Sequence, residues 1–581
     1  MKTVLRYLKD YKIEAILAPL FKMLEATFEL FVPLVMADII DIGITNADKP
    51  YIFGKVFILV ILGVVGLASS LTAQFFAAKA ATYSSAKMRL ELFSHLQKIS
   101  FRGLDDIGTS TMITRLTADS NQVQNGINMA LRLLLRSPFI VFGAMIMAFT
   151  VDVQGAIIFV VIIPLLAIVV SIIMGITIPL FKKVQGGLDK VLSSTRENLG
   201  GVRVIRAFHK EDDELEKFED RNQTLTKLSL RVGKISALMN PLTFVLINLA
   251  TIVLIYVGAI RVDNGVITTG AVVALINYMS QILVELIKLA NLIILTNKLV
   301  ASAARIESVF EIPVKEKNVD ADAQKRAMDA PVSVELKGVS LRYHEEGDEA
   351  ITNVNLMAKE GETIGIIGGT GAGKSTLVNL IAGFYEATKG EVRISGENIE
   401  SLSDEYLREL IGCVPQKAVL FSGTIRDNLT MGMSRPVTDD ELWKALDAAQ
   451  ASGFVREKEG GLDYEILQGG KNLSGGQRQR LTIARALARN PRILILDDSS
   501  SALDYATDAA LRGAIRGLDS RPLTFIVSQR TASMLQADNI IVLDDGDVAG
   551  CGKHEQLLRS CEVYREIYAS QFGEEAMQNE G

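Results

Sequence analysis

Residues 368 to 376 read Gly368-Gly369-Thr370-Gly371-Ala372-Gly373-Lys374-Ser375-Thr376, directly after the apolar run Thr363 to Ile367 and before a helical stretch, Leu377 to Phe384. An apolar strand, a glycine-rich turn and a helix in that order make a phosphate-binding loop. The glycines let the backbone wrap a phosphate tail, with successive N–H groups and the positive end of the following helix aimed at its oxygens. Lys374 adds a mobile positive charge, and Ser375 offers a hydroxyl to the Mg²⁺ that bridges the outer phosphates. Further on, the apolar strand Ile493 to Leu496 ends in Asp497, placed to hold the same ion. This second strand ending in an acid gives the loop the companion that a chance match would lack.

The chain around the loop is too apolar for an ordinary soluble enzyme. Its 581 residues are 49% hydrophobic with a mean hydropathy of +0.27, which implies a membrane domain. The formal net charge is -6 and the lysines and arginines are dispersed, so nucleic acid is disfavoured as a partner. Cys413, Cys551 and Cys561 come late in the chain and lack metal-ligand spacing, which suits free thiols in a reducing cytosol; the four scattered histidines likewise suggest no metal site.

Six stretches can cross a bilayer as helices, since roughly 20 residues span the hydrocarbon: Ile13 to Met36, Lys55 to Ala78, Ser137 to Val151, Gln154 to Ile178, Leu242 to Val262 and Ala271 to Thr296. Lys2, Arg6, Lys9 and Lys12 precede the first, and no small-residue cleavage site follows it. That run is therefore expected to stay as an anchor, with the N-terminus cytoplasmic. The connections Lys79 to Arg136 and Phe181 to Pro241 are long, rich in Lys and Arg and of helical period. They belong inside, as membrane helices that run on into the cytoplasm and turn back there. The turns around Ser110 to Asp119 and Lys210 to Lys217 are then contact points with the phosphate-binding domain, unless the hairpins are simply solvated. Lys22, Glu25 and Glu29 share one face of the first span, and Glu285 with Lys288 makes a similar pair in the sixth. A charge at the centre of a span costs roughly 2.5 to 3.5 kcal/mol on insertion scales, so these residues either line a polar cavity or pair to fix helix packing.

The predicted organisation is a transmembrane all-α domain of six helices over residues 1–312, a charged linker over 313–331, a soluble α/β domain over 332–573 and a frayed tail over 574–581. β-rich runs at Val332 to Leu336, Thr363 to Ile367, Ile411 to Val414, Ile493 to Leu496, Thr524 to Val527 and Asn539 to Leu543 support the α/β assignment.

Within that domain Leu473-Ser-Gly-Gly-Gln477 precedes a helical run, Arg478 to Arg489. The pentapeptide resembles the signature of ATP-binding-cassette transporters and lies upstream of Ile493 to Asp498 at that family's spacing. Six spans fused to one nucleotide-binding domain resemble an exporter half-transporter. The resemblance implies ATP and Mg²⁺ as cofactors. Tyr343 matches the aromatic that stacks on adenine, and Gln416 the glutamine that senses Mg²⁺ and the membrane domain. Ser474, Gly475, Gly476 and Gln477 begin a helix and offer donors to a γ-phosphate, which in this family belongs to the ATP of a partner cassette. Asp504, in Ser501-Ala-Leu-Asp504, matches the loop that connects the two sites across that interface.

Two positions depart from the family pattern. Asp498 stands where the family places a glutamate as general base, one methylene short, and a base must come within about 2.6 to 3.2 Å of its proton. Gln529 stands where the family places its switch histidine; an amide can still donate to a γ-phosphate but cannot become cationic. Together they resemble the degenerate-site subunit of heterodimeric bacterial multidrug exporters. The expectation is ATP-driven export of amphipathic or hydrophobic compounds across a plasma membrane, with a catalytically complete partner half. The alternatives are a lipid or peptide exporter, or a nucleotide-gated channel or regulatory subunit. Six spans exclude a soluble phosphate-loop enzyme.

Overall fold

The computed structural model describes residues 6–314, 317–344, 347–433 and 435–572, Ala290 without its side chain. Lys2 and the expected tail 574–581 lie outside these residues. The chain divides into two units, Met1–Gln97 with Ile107–Pro313, and Lys98–Asp106 with Val314–Gly581.

The first unit is helical. Its main helices are α1 (Lys12–Asp38), α2 (Lys49–Leu96), α3 (Ser120–Leu133), α4 (Arg136–Val151), α5 (Val153–Gly200), α6 (Glu211–Ala237), α7 (Met239–Asp263) and α8 (Thr269–Phe310). The six predicted spans fall in α1, α2, α4, α5, α7 and α8. Helices α2 and α5 run 48 residues each, about 72 Å at 1.5 Å per residue, so they extend well beyond a hydrocarbon layer of about 30 Å. Among the described residues five helical runs are long and apolar enough to cross a membrane, by length and composition: Lys49–Leu96, Thr109–Val151, Val153–Gly200, Glu211–Asp263 and Thr269–Phe310. The 27-residue α1 stands apart from these because Lys22, Glu25 and Glu29 occupy its middle.

Local chemistry sets the helix ends. Asp48, Asp152 and Thr268 accept from the backbone N–H of Tyr51, Gly155 and Ala271 at the starts of α2, α5 and α8, caps worth about 1 kcal/mol each. Pro33 removes from inside α1 the N–H that would serve the Glu29 carbonyl, and α8 supplies donors to this turn. Gln281 Nε2 donates to the Glu29 carbonyl at 3.4 Å, and the Tyr278 hydroxyl to that of Leu30 at 2.7 Å. Tyr278 is fully buried beside Phe159, Leu166 and Leu254, in the core where α1, α4, α5, α7 and α8 meet. Phe53, Phe57 and Leu67 of α2 point outward, an apolar surface suited to lipid.

The second unit is an α/β domain. The segment expected as a linker contains a helix, α9 (Ala321–Asp329). Its Ala323 and Ala327 are buried, and the Ala327 carbonyl accepts from the Tyr406 hydroxyl at 3.1 Å. An antiparallel sheet follows, β1 (Ser333–Leu341) between β2 (Ile351–Lys359) and β4 (Lys389–Ile394), with β5 (Glu397–Asn398) at its edge. The main sheet contains β3 (Thr363–Gly368), β6 (Ile411–Val414), β9 (Ile493–Asp497), β10 (Leu523–Val527), β11 (Asn539–Asp544) and β12 (Asp547–Gly552), in the order β12-β11-β3-β10-β9-β6. All its pairings are parallel except that of β12 with β11. A short ribbon, β7 (Gly423–Thr424) with β8 (Glu465–Ile466), lies apart. The helices that matter for the site are α10 (Lys374–Ile381), α11 (Gly475–Ala488), α12 (Tyr505–Arg516) and α13 (Glu562–Phe572).

Every residue of β3 is buried, as a strand flanked on both sides must be, and each large aliphatic side chain hidden there contributes about 1.5 to 3 kcal/mol. In register, Val527 lies opposite both Ile366 and Asp497, and Val414 opposite Leu496. The carboxyl ends of β3, β6, β9 and β10 therefore share one edge of the sheet, where α/β folds bind ligands.

Residues 98–106 belong to this second unit although they interrupt the first in sequence. The Phe101 ring lies 4.6 Å from that of Phe384, and the Tyr385 hydroxyl donates to the Asp105 carboxylate. The sequence predicts this contact at Ser110 to Asp119, but those residues stay in the first unit, where Arg115 and Arg305 both donate to the buried Asp119.

Candidate functional site

The loop after β3 is shaped by glycines in the left-handed region. Gly371 and Gly373 have φ of +87° and +91°, and at Gly373 a Cβ would also stand 2.6 Å from the Ala350 carbonyl oxygen. At Gly371 nothing lies within 4 Å of such a Cβ, so the loop faces open space there. Lys374 Nζ folds back over the loop and donates to the carbonyls of Gly368 at 2.9 Å and Gly369 at 2.5 Å. Ser375 Oγ donates to Asp497 Oδ1 at 3.0 Å, tying the start of α10 to the end of β9.

These groups border a cavity of about 330 Å³, lined by Thr370 to Thr376 together with Tyr343, Gln416, Asp497, Asp498 and Gln529, and also by Ala350 and Val527. Apart from Gly368 and Gly369, which begin the loop but do not line the cavity, and Asp504, the sequence-predicted site residues outside the signature thus converge from five strand ends. Tyr343 is held from two sides: its hydroxyl donates to Thr376 Oγ1 at 3.0 Å, and its ring stands edge-on to Tyr385 at 5.1 Å. Asp498 has φ of +45°, and its N–H donates to the Val527 carbonyl at 3.0 Å. Aspartate enters the left-handed region more readily than glutamate, so the shorter acid suits the backbone found here. Gln416 Nε2 lies 3.5 Å from Asp498 Oδ2.

Burial pushes the carboxyls of Asp497 and Asp498 above their ordinary range, against the opposing pull of Ser375 on the first and of Gln416 and Lys374 on the second. The same burial lowers Lys374. A carboxylate and a hydroxyl side by side are hard oxygen donors that fit a small divalent cation, and the open, N–H-lined loop fits a phosphate chain.

Ser474 to Gln477 and Asp504 lie outside this cavity. Ser474 caps α11 through a reciprocal pair: its hydroxyl accepts from the Gln477 N–H at 3.3 Å, and its N–H donates to Gln477 Oε1 at 3.0 Å. Asp504 caps α12, accepting from the Thr507 N–H at 2.8 Å. A Cβ on Gly476 would stand 3.2 Å from the Ala502 carbonyl oxygen, so the signature turn and the loop before Asp504 pack together.

In the first unit the charged residues of α1 meet a partner that sequence reasoning missed. Arg136, buried at the start of α4, donates to Glu29 Oε2 at 2.8 Å and to Glu285 Oε1 at 2.6 Å, and stands 3.9 Å from Glu25. Lys22 pairs with Glu25 at 2.5 Å and Lys288 with Glu285 at 2.7 Å, so three cations face three carboxylates. The signal was present in the sequence: Glu25 and Glu29 exceed Lys22 by one charge, and Arg136 borders the third expected span. Arg136, Glu25 and Glu285 are closed in, whereas the side chains of Glu29 and Lys288 are 43% and 41% exposed and form the open rim of the network.

Comparison with known proteins follows the same division. The family described as ABC transporter transmembrane region matches residues 15–286, and that described as ABC transporter matches residues 351–501. The chain is 30% identical to YgaD of Bacillus subtilis (strain 168), an ATP-binding/permease protein named for multidrug export, over 98% of this chain and 99% of that one. It is 28% identical to the ATP-dependent lipid A-core flippase of Hahella chejuensis (strain KCTC 2396), over 93% and 92%. Its fold is similar to that of a bacterial Atm1-family ABC exporter solved with ATP bound, with a TM-score of 0.77 at 22% identity over 98% and 99% of the two chains.

Proposed function

The chain belongs to the ABC transporter family, with transmembrane region and ATP-binding cassette fused on one polypeptide as in the exporters, and from that premise we infer the division of labour within it. It is one half of a heterodimeric exporter, in which this chain's own ATP site binds nucleotide firmly and hydrolyses it slowly while a catalytically complete partner supplies most of the turnover. The observation that carries this is the pair at the cavity mouth, Asp498 and Gln529, in place of a longer acid and an imidazole.

Bound Mg-ATP supplies the phosphoanhydride whose cleavage drives the cycle. Lys374 and the N–H groups of Gly369 to Thr376 would hold its phosphates, Ser375 and Asp497 its Mg²⁺ with Gln416 nearby, and Tyr343 its adenine. Among the described residues Asp498 is the only acid besides Asp497 that lines the cavity, yet its short arm keeps it from the position a general base needs; a misplacement on the order of 1 Å can cost about a hundredfold. Gln529 would donate to the γ-phosphate without the charge an imidazolium adds. Ser474 to Gln477, capped and outside the chain's own cavity, are left to serve the partner's ATP, and Asp504 to link the two sites.

In this reading residues 1–312 form the transmembrane domain, residues 313–331 join it to a cassette over 332–573, and the cassette lies on the cytoplasmic side of a bacterial plasma membrane. Amphipathic compounds are the proposed cargo, supported by the likeness to YgaD; the flippase likeness favours lipid as the second candidate. Purification of a tagged chain from its own host tests the pairing. A second cassette protein should co-purify, and after turnover this chain should retain more ATP than its partner. Recovery of one chain species alone, with full ATPase activity, overturns the heterodimer.

A further inference from the structure

Gln571, in the last turn of α13, makes a contact that none of the roles above uses. Its Oε1 accepts from both the backbone N–H and the hydroxyl of Thr531, each at 2.9 Å, and its Nε2 donates to the carbonyl of Gln529 at 2.7 Å. The Thr531 N–H fixes which side-chain atom is the oxygen, so the nitrogen must face Gln529. One planar amide thereby spans the loop from the carbonyl of residue 529 to the N–H of residue 531 and sets the backbone between them. Thr531 is fully buried, so its N–H has no water to turn to if the amide is lost. The platform is firm: Tyr564 and Tyr568 of α13 are buried, and Tyr564 packs in one cluster with Ile367, the last side chain before the phosphate loop. Arg530, between the two bridged residues, reaches the other way, donating to the Leu503 carbonyl at 3.2 Å and lying over the Tyr505 ring at 4.8 Å.

We propose that Gln571 is a positioning residue: by holding the backbone of residues 529–531 it aims the Gln529 side chain into the nucleotide cavity, and so makes the C-terminal helix part of how this site tells ATP from ADP. The inference rests on the reading of Gln529 as a γ-phosphate contact. A contact to that phosphate strengthens ATP and leaves ADP untouched, whereas Lys374 and the loop grip both nucleotides.

Gln571→Glu isolates the link. The carboxylate keeps the shape and still accepts from Thr531, but it cannot donate and it repels the Gln529 carbonyl. The full chain, epitope-tagged in membranes of its own host, is photolabelled on ice with 8-azido-ATP and Mg²⁺, and the label on this chain is resolved by electrophoresis. ATP and ADP are then compared as competitors. For Gln571→Glu the ATP needed for half-competition should rise about three- to tenfold, the range one hydrogen bond is worth, with ADP unchanged. Gln529→Ala should shift ATP alike, and the double variant no further. Unchanged ADP competition also reports an intact fold. Equal weakening of ATP and ADP, no shift at all, or additive shifts in the double variant overturn the proposal. If Gln529→Ala shifts ATP and Gln571→Glu does not, the proposal alone fails; if Gln529→Ala itself has no effect, the γ-phosphate reading fails and takes the proposal with it.

Discussion

Gln416 Nε2 stands 3.5 Å from Asp498 Oδ2 at the mouth of the nucleotide cavity, a weak contact that joins the loop after β6 to the end of β9. The Asp498 carboxylate is thus turned toward a neutral amide while its backbone is held in the left-handed region. Asparagine tolerates that backbone equally well. If the proposed heterodimer holds, Asp498→Asn should keep the fold and leave its ATPase activity within about twofold, whereas removal of the partner's general base should cost about a hundredfold or more. Equal losses from the two changes mean that this site is not degenerate.

Ser474 separates stability from chemistry. Ser474→Ala removes the α11 cap, at about 1 kcal/mol, and should also abolish most ATPase activity through the partner's site. Ser474→Asp restores a cap of similar strength but sets a negative charge against the γ-phosphate. Its melting temperature should recover while turnover does not. Recovery of both would show that Ser474 matters only as a cap.

The charged network divides between packing and path. Arg136→Gln leaves Lys22 and Lys288 alone to face three carboxylates, Glu285 among them buried, and should cost about 3 to 5 kcal/mol, read as a fall in thermal stability in detergent. Glu29→Gln, on the exposed rim, should cost far less and instead weaken export of cationic compounds relative to neutral ones in vesicles. Unaltered selectivity with lowered stability would assign Glu29 to packing as well.

Phe101 and Phe384 provide the test of coupling. Phe101 is 42% exposed, so Phe101→Ala should lower stability by no more than about 1 to 2 kcal/mol. Basal ATPase should persist while its stimulation by transported substrate disappears. On the proposed pairing the other turn, Lys210 to Lys217, docks on the partner's cassette, and a cysteine at Asp212 should crosslink there; crosslinks confined to one chain reject the crossed arrangement.

Cysteine reactivity follows burial. Cys413 lies next to the sheet edge, and desolvation, followed by the nearby Asp497 charge, pushes its thiol up to about 12. It therefore stays neutral as pH rises through the ordinary thiol range of about 8.5, and the native state progressively loses stability from there toward 12, because only the unfolded thiol ionises. At pH 8 a maleimide should modify exposed Cys551 long before Cys413, as peptide mass spectrometry will show. Modification of Cys413 at a rate matching Cys551 contradicts the burial argument.

Much of this organisation could be read from residue order alone. The phosphate loop, the strand ending at Asp497 and the apolar spans are local patterns, and the structure finds them with ends shifted by a few residues; α2, α5 and α8 run on well past the expected apolar stretches because their polar continuations keep helical period. Strands β2 and β4 escaped because their buried residues alternate with more exposed ones, as in Val354, Leu356 and Ala358, and β12 because none of its residues is fully buried, so that none of the three leaves a continuous apolar run. Helix α9 escaped because only two small alanines anchor it in a charged segment. Gln571 carries no local signal, since what matters about it is contacts made across 40 and 42 positions of sequence.

The Arg136 network has a consequence for how the protein is made. When α1 leaves the ribosome, Lys22 can neutralise Glu25 within the same helix, but Glu29 has no counterion until α4 is synthesised, 107 residues later, and Arg136 in turn still lacks Glu285 until α8 follows after another 149. A helix with an unmatched charge enters lipid reluctantly. Helix α1 therefore settles only after a helix made well after it. Until α4 supplies Arg136 it depends on the insertion machinery to shelter Glu29, and in a chain stalled before α4 a cysteine placed beside Glu29 should react with a water-soluble maleimide faster than in a chain stalled after α8.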